Sequence, residues 1–294
     1  MRAHTFGGAW TQDKLNRIRK YLSAYTILFH GNAHARYYST IYVDAFAGTG
    51  HRTEQRKATQ DIPLFPTDPE AEEFRKGSAR IALEIKPPFK RYYFIERHPK
   101  RVQELNGLRS SFPDLEDRVE VISDDANVFL TSWCSAVDWS RNRAVVFLDP
   151  YGMQVEWITI EAIARTHGID LWYLFPYIAV SRMSTRDAPP PEDWSQLLTR
   201  IFGTDSWRDA FYPRSEILTL FGNEESHRKD ADLKKVTDFF IGRLQDVFPG
   251  VASNPLILRN STNTPLYILC FATSNPEQRI IKTALNIAQD ILRT

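Results

Sequence analysis

The stretch Thr40-Ile41-Tyr42-Val43-Asp44-Ala45-Phe46-Ala47-Gly48-Thr49-Gly50 reads as a buried strand running into a glycine turn. Glycines at 48 and 50 let the backbone turn tightly and approach a ligand with no β-carbon in the way. Gly-x-Gly alone is also a plain turn. The strand before it, and the acid Asp44 four residues ahead of Gly48, raise it to a candidate binding loop. The chain continues His51-Arg52-Thr53, so the third glycine of a dinucleotide fingerprint is missing, which disfavours NAD.

Working outward, residues 10–30 space Leu15, Ile18, Leu22, Tyr25 and Leu28 helically, with Thr11 and Asp13 as candidate caps. A polar stretch, 51–75, follows the glycine turn, and helix is expected to resume at Gly77-Ser78 with Ser78 as its cap. Strand-like runs then alternate with helical ones. Strands are expected at 91–96, 118–122, 144–149 and 169–175, and helices at 100–110, 126–135 and 155–166. Residues 176–235 break this rhythm and read as a helical insertion. A helix at about 232–248 leads to Leu256-Ile257-Leu258 and to Leu266 through Phe271, joined by turn residues in Asn260 to Pro265. A last amphipathic helix carries Ile280, Ile281, Ala284, Ile287, Ala288 and Ile291.

The expected architecture is therefore α/β: a doubly wound, mostly parallel seven-stranded sheet with a C-terminal antiparallel hairpin, as in class I methyltransferases. It divides into an N-terminal helical segment (1–39), a core (40–175 and 236–294) and the insertion (176–235). The hairpin separates this fold from a dinucleotide-binding one.

Bulk properties narrow the class. The chain has 294 residues, 43% hydrophobic and 25% charged, with a net charge of +1, ordinary globular composition with no global field for nucleic acid. The segment 51–101 holds 12 Lys and Arg against 8 Asp and Glu, a local basic excess that also suits a solvated surface. No run approaches the roughly 18 apolar residues of a membrane span. Met1 to Phe6 lacks an apolar signal core. Cys134 and Cys270 sit far apart in apolar surroundings and read as buried thiols. A cytoplasmic location is expected.

In doubly wound sheets, ligands bind beyond the carboxyl ends of the strands. Four strand ends carry suitable groups here. Asp44 with Phe46, Ala47, Gly48 and Gly50 would hold the methionyl part of S-adenosylmethionine. Glu96 can accept both hydroxyls of a ribose, or pair with Arg97 or Arg101. Asp125, followed by Ala126, can accept from an adenine amino group, or cap the helix it precedes. In Asp149-Pro150-Tyr151-Gly152, the carboxylate and the proline carbonyl can orient an exocyclic amine while Tyr151 stacks on a base. The same four residues also make a good β-turn. The seven histidines show no metal spacing.

Together these motifs resemble the three-Cys-motif partner (TcmP) proteins, a bacterial family with a class I methyltransferase-like core. The likeness runs through 42–50, Gly77-Ser78, Tyr93 to Glu96, Asp125 to Asn127, Phe147 to Gly152, Phe175-Pro176 with Arg182, and Pro265 to Tyr267. The chain departs from the family pattern at Tyr151, usually phenylalanine, and at Phe175-Pro176, where an asparagine is common. The resemblance implies a partner bearing three cysteines and leaves the substrate open. Asp-Pro-Tyr-Gly is also similar to the catalytic loop of tRNA guanine-N2 dimethyltransferases. The leading expectation is an S-adenosylmethionine-dependent methyltransferase of an amino group in nucleic acid. A non-catalytic partner protein is the alternative. A metal-dependent nuclease using Asp44, Asp124, Asp125 and Asp149 is third.

Overall fold

The structure, a computed structural model, describes residues 9–47, 69–184, 189–213, 215–219, 222–226, 230–260 and 262–293. The first half runs α1 (Ala9–Gly31), β1 (Ser39–Asp44), α2 (Pro69–Glu84), β2 (Arg91–Ile95), α3 (Pro99–Ser110), β3 (Val119–Ile122), α4 (Ala126–Ala136) and β4 (Asn142–Leu148). Next come α5 (Trp157–Arg165), β5 (Ile169–Phe175), α6 (Tyr177–Met183), α7 (Glu192–Phe202) and α8 (Trp207–Phe211). The chain continues with β6 (Ser215–Thr219), β7 (Gly222–Ser226) and α9 (Leu233–Val247). It closes with β8 (Gly250–Val251), β9 (Leu256–Arg259), β10 (Pro265–Thr273) and α10 (Gln278–Arg293).

The main sheet has the order β3-β2-β1-β4-β5-β10-β8, with β9 also paired to β10. The strands from β3 to β5 are parallel; β10 runs antiparallel to β5 and to both outer strands. Eight strands therefore pair where seven were expected. The outer edge is broken into β8, facing Ala272 and Thr273, and β9, facing Pro265 to Leu269. A two-residue strand such as β8 has too little pattern to read in sequence. The expected hairpin is β9–β10. Asn260 Oδ1 accepts from the backbone N–H of Thr262 (3.1 Å) and Thr264 (2.8 Å), and Asn263 takes φ +62°.

Both faces of the parallel strands are covered, which is why they read as unbroken apolar runs. Side chains alternate across β1: Ile41 and Val43 enter one core with α4, α5 and α9, while Tyr42 enters the other with α1, α2 and α10. Both cysteines are buried free thiols, and burial pushes Cys134 up to about 12.

Several local expectations are corrected. Thr11 and Asp13 lie inside α1, which starts at Ala9. Ser78 caps nothing, because α2 starts at Pro69. A β-carbon on Gly77 would come within 2.7 Å of Leu15 Cδ1, so this glycine lets α1 and α2 approach. Among its described residues the 176–235 segment contains α6, α7, α8 and the start of α9, and also an antiparallel pair, β6–β7, so it is not purely helical.

Gly203 ends α7 in the left-handed region, at φ +67°, with its N–H bonded to Thr199 O at 2.7 Å. A β-carbon there would lie 2.0 Å from Cδ1 of the buried Trp157 ring. Left-handed backbone and overpacking then add, and Gly203→Ala is expected to cost about 2–5 kcal/mol. Urea titration should show an earlier midpoint at unchanged slope; a wild-type midpoint contradicts this packing.

On β5, Asp170 Oδ2 accepts from the Tyr21 hydroxyl of α1 at 2.7 Å. Burial raises its pKa above the usual 3.8, against hydrogen bonds from Thr273 and Tyr21 and the charge of Arg143. Between the unfolded and folded values the native state binds more protons, so its stability falls as pH rises through that window. Asparagine can still accept from Tyr21 and carries no charge to desolvate. The melting-temperature difference, Asp170→Asn minus wild type, should therefore rise from about pH 4 to pH 7. His34, Glu277 and Arg279 nearby, and Tyr25, are common to both proteins and cancel. A flat or falling difference contradicts the burial.

Candidate functional site

Strand register places the acids in a row. Asp44 ends β1 opposite Phe94 of β2 and Phe147 of β4. Glu96 and Asp149 each lie two residues beyond those partners. Ile95 of β2 faces Ile122 of β3, and Asp124 follows two residues on. The backbone continues the alignment past the strands: Ala45 N–H bonds Phe147 O, Ala47 N–H bonds Ile95 O, and Glu96 N–H bonds Ile122 O.

Beyond these ends lies a crevice of about 460 Å³. Ala45, Phe46, Glu96, Asp124, Asp125, Ala126 and Tyr151 line it, together with Arg97, His98, Pro99, Arg101 and Gln154. Four residues expected at the site, Phe46, Glu96, Asp125 and Ala126, thus meet Tyr151 around one space. Ala47 is buried. Gly48 and Gly50 lie outside the described residues.

Asp44 and Asp149 do not line the crevice. Asp44 is fully buried, and its Oδ2 accepts from Ser78 Oγ at 2.7 Å. Asp149 and Pro150 are buried. Burial, then the charge of Asp44, then that of Asp149 raise the Tyr42 hydroxyl well above the ordinary tyrosine range. Both carboxylates therefore act on the same phenol of β1.

Glu96 is only 8% exposed, and both of its carboxylate oxygens are engaged within the protein. Oε1 accepts from His98 N–H at 2.6 Å, and Oε2 lies 3.5 Å from Arg101 Nη1. Arg101 is itself buried and lies 5.7 Å from the centroid of the Tyr151 ring. Among the described residues, Arg101 Nη2 and His98 Nδ1 are buried without a hydrogen-bond partner. Arg97, the other candidate, instead approaches Asp125 Oδ2 at 3.9 Å on the exposed side.

Asp125 Oδ1 caps α4, accepting from the N–H groups of Asn127 (2.9 Å) and Val128 (3.4 Å). The cap and a binding role are compatible, since Oδ2 is left toward the crevice with only a long contact to Arg97.

Asn127 is a positioning residue that sequence reading passed over. Its Nδ2 donates to Gln154 O at 2.9 Å; its Oδ1 accepts from Glu156 N–H at 3.0 Å and Thr159 Oγ1 at 2.8 Å. Gln154 Oε1 in turn accepts from Tyr151 N–H at 2.8 Å. The loop after β4 is thereby tied to the start of α4. An amide two residues after a capping acid, in the Asp125-Ala126-Asn127 run, was the available signal. Among the described residues, no group of three or more His, Cys, Asp or Glu is arranged to hold a metal ion. No helix among them is long and apolar enough to cross a membrane.

No family model matches the chain, and no curated protein matches it. Among solved structures, protein LPL1258 from Legionella pneumophila, of family DUF519, aligns at a TM-score of 0.44 and 14% identity. That alignment covers 94% of this chain and 91% of the other. That likeness is too distant to argue from; the chain's own strand pairing makes it a mixed α/β protein built on a mostly parallel, multi-stranded sheet.

Proposed function

We propose that the chain is a class I S-adenosylmethionine-dependent methyltransferase acting on an exocyclic amino group in nucleic acid. The observation that carries this reading is the crevice beyond the carboxyl ends of β1, β2 and β3, where Glu96 and Asp125 stand on one wall system with Phe46 and Tyr151. Support also comes from the sheet order, with antiparallel β10 beside β5. The volume lies within the roughly 300–1,000 Å³ of small-molecule sites, and Arg101 Nη2 and His98 Nδ1, without a partner among the described residues, can bond a ligand there.

Glu96 would hold the ribose, Asp125 the adenine amino group, and Asp44 with the Gly48–Gly50 turn the methionyl end. When bound, the cofactor supplies an already activated methyl group, so the protein contributes alignment and a proton acceptor. Asp149 and the Pro150 carbonyl would orient the amine, and Tyr151 would stack on the base.

A second reading, a non-catalytic partner of a three-cysteine protein, is favoured by one specific arrangement. Glu96 already has both oxygens engaged, and Asp149 is buried off the crevice wall. Titration calorimetry with S-adenosylmethionine and S-adenosylhomocysteine separates the two. The methyltransferase reading expects saturable binding of both, lost on Asp125→Ala. Binding of neither leaves the partner reading. Mass spectrometry of nucleic acid from cells with and without the gene then identifies the methylated atom.

A further inference from the structure

A second cavity, of about 570 Å³, lies at the opposite end of the sheet, between α1, α10 and the start of β5. Its floor holds Asp170 and Arg143. Asp170 pairs with Val145 across β4–β5 and with Thr273 across β5–β10. Arg143 stands two residues before Val145, so register puts its side chain on the same face of the sheet as Asp170. The two floor charges are not equally satisfied. The Arg143 guanidinium lies 3.9 Å from the Tyr38 ring centroid, and its Nη1 bonds the carbonyls of Trp139 and Asn142. Asp170 accepts from the Tyr21 hydroxyl and is hydrogen-bonded by Thr273; the Arg143 charge acts on it from a distance, with no ion pair within 4 Å to Asp170 among the described residues.

The walls combine Tyr25, Phe29 and Ile287 with the charged Glu277 and Arg279 at the start of α10. At the mouth, two residues that helical periodicity assigns to the core are exposed. Leu28 of α1 is 43% exposed and Ile280 of α10 is 40% exposed, and both line the cavity. Each apolar stripe therefore extends past what the protein covers. An apolar body seated between Leu28 and Ile280 would cover both.

We propose that this cavity is a second ligand site, taking an organic cation with a flat apolar body, its head paired with Asp170 and its ring between α1 and α10. An amidinium or primary amine supplies the direct, hydrogen-bonded ion pair that the more distant Arg143 does not, and a planar ring suits Tyr25 and Phe29. The site is remote from the acid row and stands whether or not the crevice binds a cofactor.

Benzamidine is the probe, with benzoate as the control of opposite charge and the same shape. Benzamidine should bind the wild-type chain saturably in calorimetry at micromolar to millimolar concentrations, displace NMR signals of Tyr25 and Ile280, and leave those of Tyr151 in place. Benzoate should bind at least about tenfold more weakly, the loss expected when a charge-assisted hydrogen bond is removed. Asp170→Asn should weaken benzamidine by about tenfold to a hundredfold. Leu28→Arg, an exposed substitution at the mouth, should weaken benzamidine and spare benzoate, which keeps the test open should Asp170→Asn fold poorly. Equal binding of the two probes, no saturable binding, or binding that moves Tyr151 and leaves Ile280 still would each overturn the proposal.

Discussion

Asp149→Ala is expected to lower methyl transfer by about 10²–10⁴-fold while leaving cofactor affinity nearly unchanged. The separation follows from the geometry. Asp149 closes β4 and does not line the crevice where Glu96 and Asp125 stand. Its loss therefore removes a group for the acceptor amine and none of the cofactor's expected contacts. Single-turnover rates with saturating S-adenosylmethionine measure the first quantity, and calorimetry the second. Transfer at the wild-type rate means that another group handles the proton. A parallel loss of cofactor binding means that Asp149 supports the fold of the site instead. Asp149→Asn distinguishes orientation from proton acceptance, because it keeps one hydrogen-bonding oxygen and loses the basicity.

The second large effect is on stability. Glu96→Ala leaves Arg101 buried, with one guanidinium nitrogen already unpartnered. Breaking a buried pair from one side costs about 3–5 kcal/mol, since the remaining charge is neither hydrated nor paired. The double substitution Glu96→Ala with Arg101→Met should recover most of that loss, because an apolar side chain of similar length needs no counter-charge. Chemical denaturation of the wild type, Glu96→Ala, Arg101→Met and the double variant gives the coupling. Additive losses would show that the 3.5 Å contact contributes little. Glu96→Gln, which still accepts from His98 N–H but removes the charge facing Arg101, should lose part of that stability and bind S-adenosylmethionine about tenfold to a hundredfold more weakly.

Much of the sheet was legible because strands covered on both faces carry continuous β-branched and aromatic runs, as in Ala144 to Leu148 and Ile169 to Phe175. The row of acids was legible as well, since parallel register carries equivalent strand ends to one edge. Three kinds of feature were not. The start of α2 at Pro69 lies in a polar stretch whose composition resembles a loop, so Gly77-Ser78 looked like a beginning when it is an interior contact. Gly77 serves the α1–α2 approach, and Ser78 reaches Asp44 across 34 residues, a tertiary choice with no local signature.

Periodicity also overshot. It marks which residues share a helix face, not how far along the helix a neighbour reaches, and so it placed Leu28 and Ile280 in the core. Partner choice was the third gap. Arg97 and Arg101 were equivalent candidates for Glu96 in sequence. The first turn of α3 points Arg101 inward and leaves Arg97 outside. The orphan polar atoms of the crevice and the Asn127 bridge exist only once α4 and the loop after β4 are packed together.

A crystal structure grown with S-adenosylhomocysteine tests the central claim most directly. Ribose hydroxyls within hydrogen-bonding distance of Glu96, with the adenine amino group beside Asp125, is the predicted result. A ligand bound elsewhere, or a crevice still closed by the Glu96–Arg101 pair at saturating ligand, would contradict it.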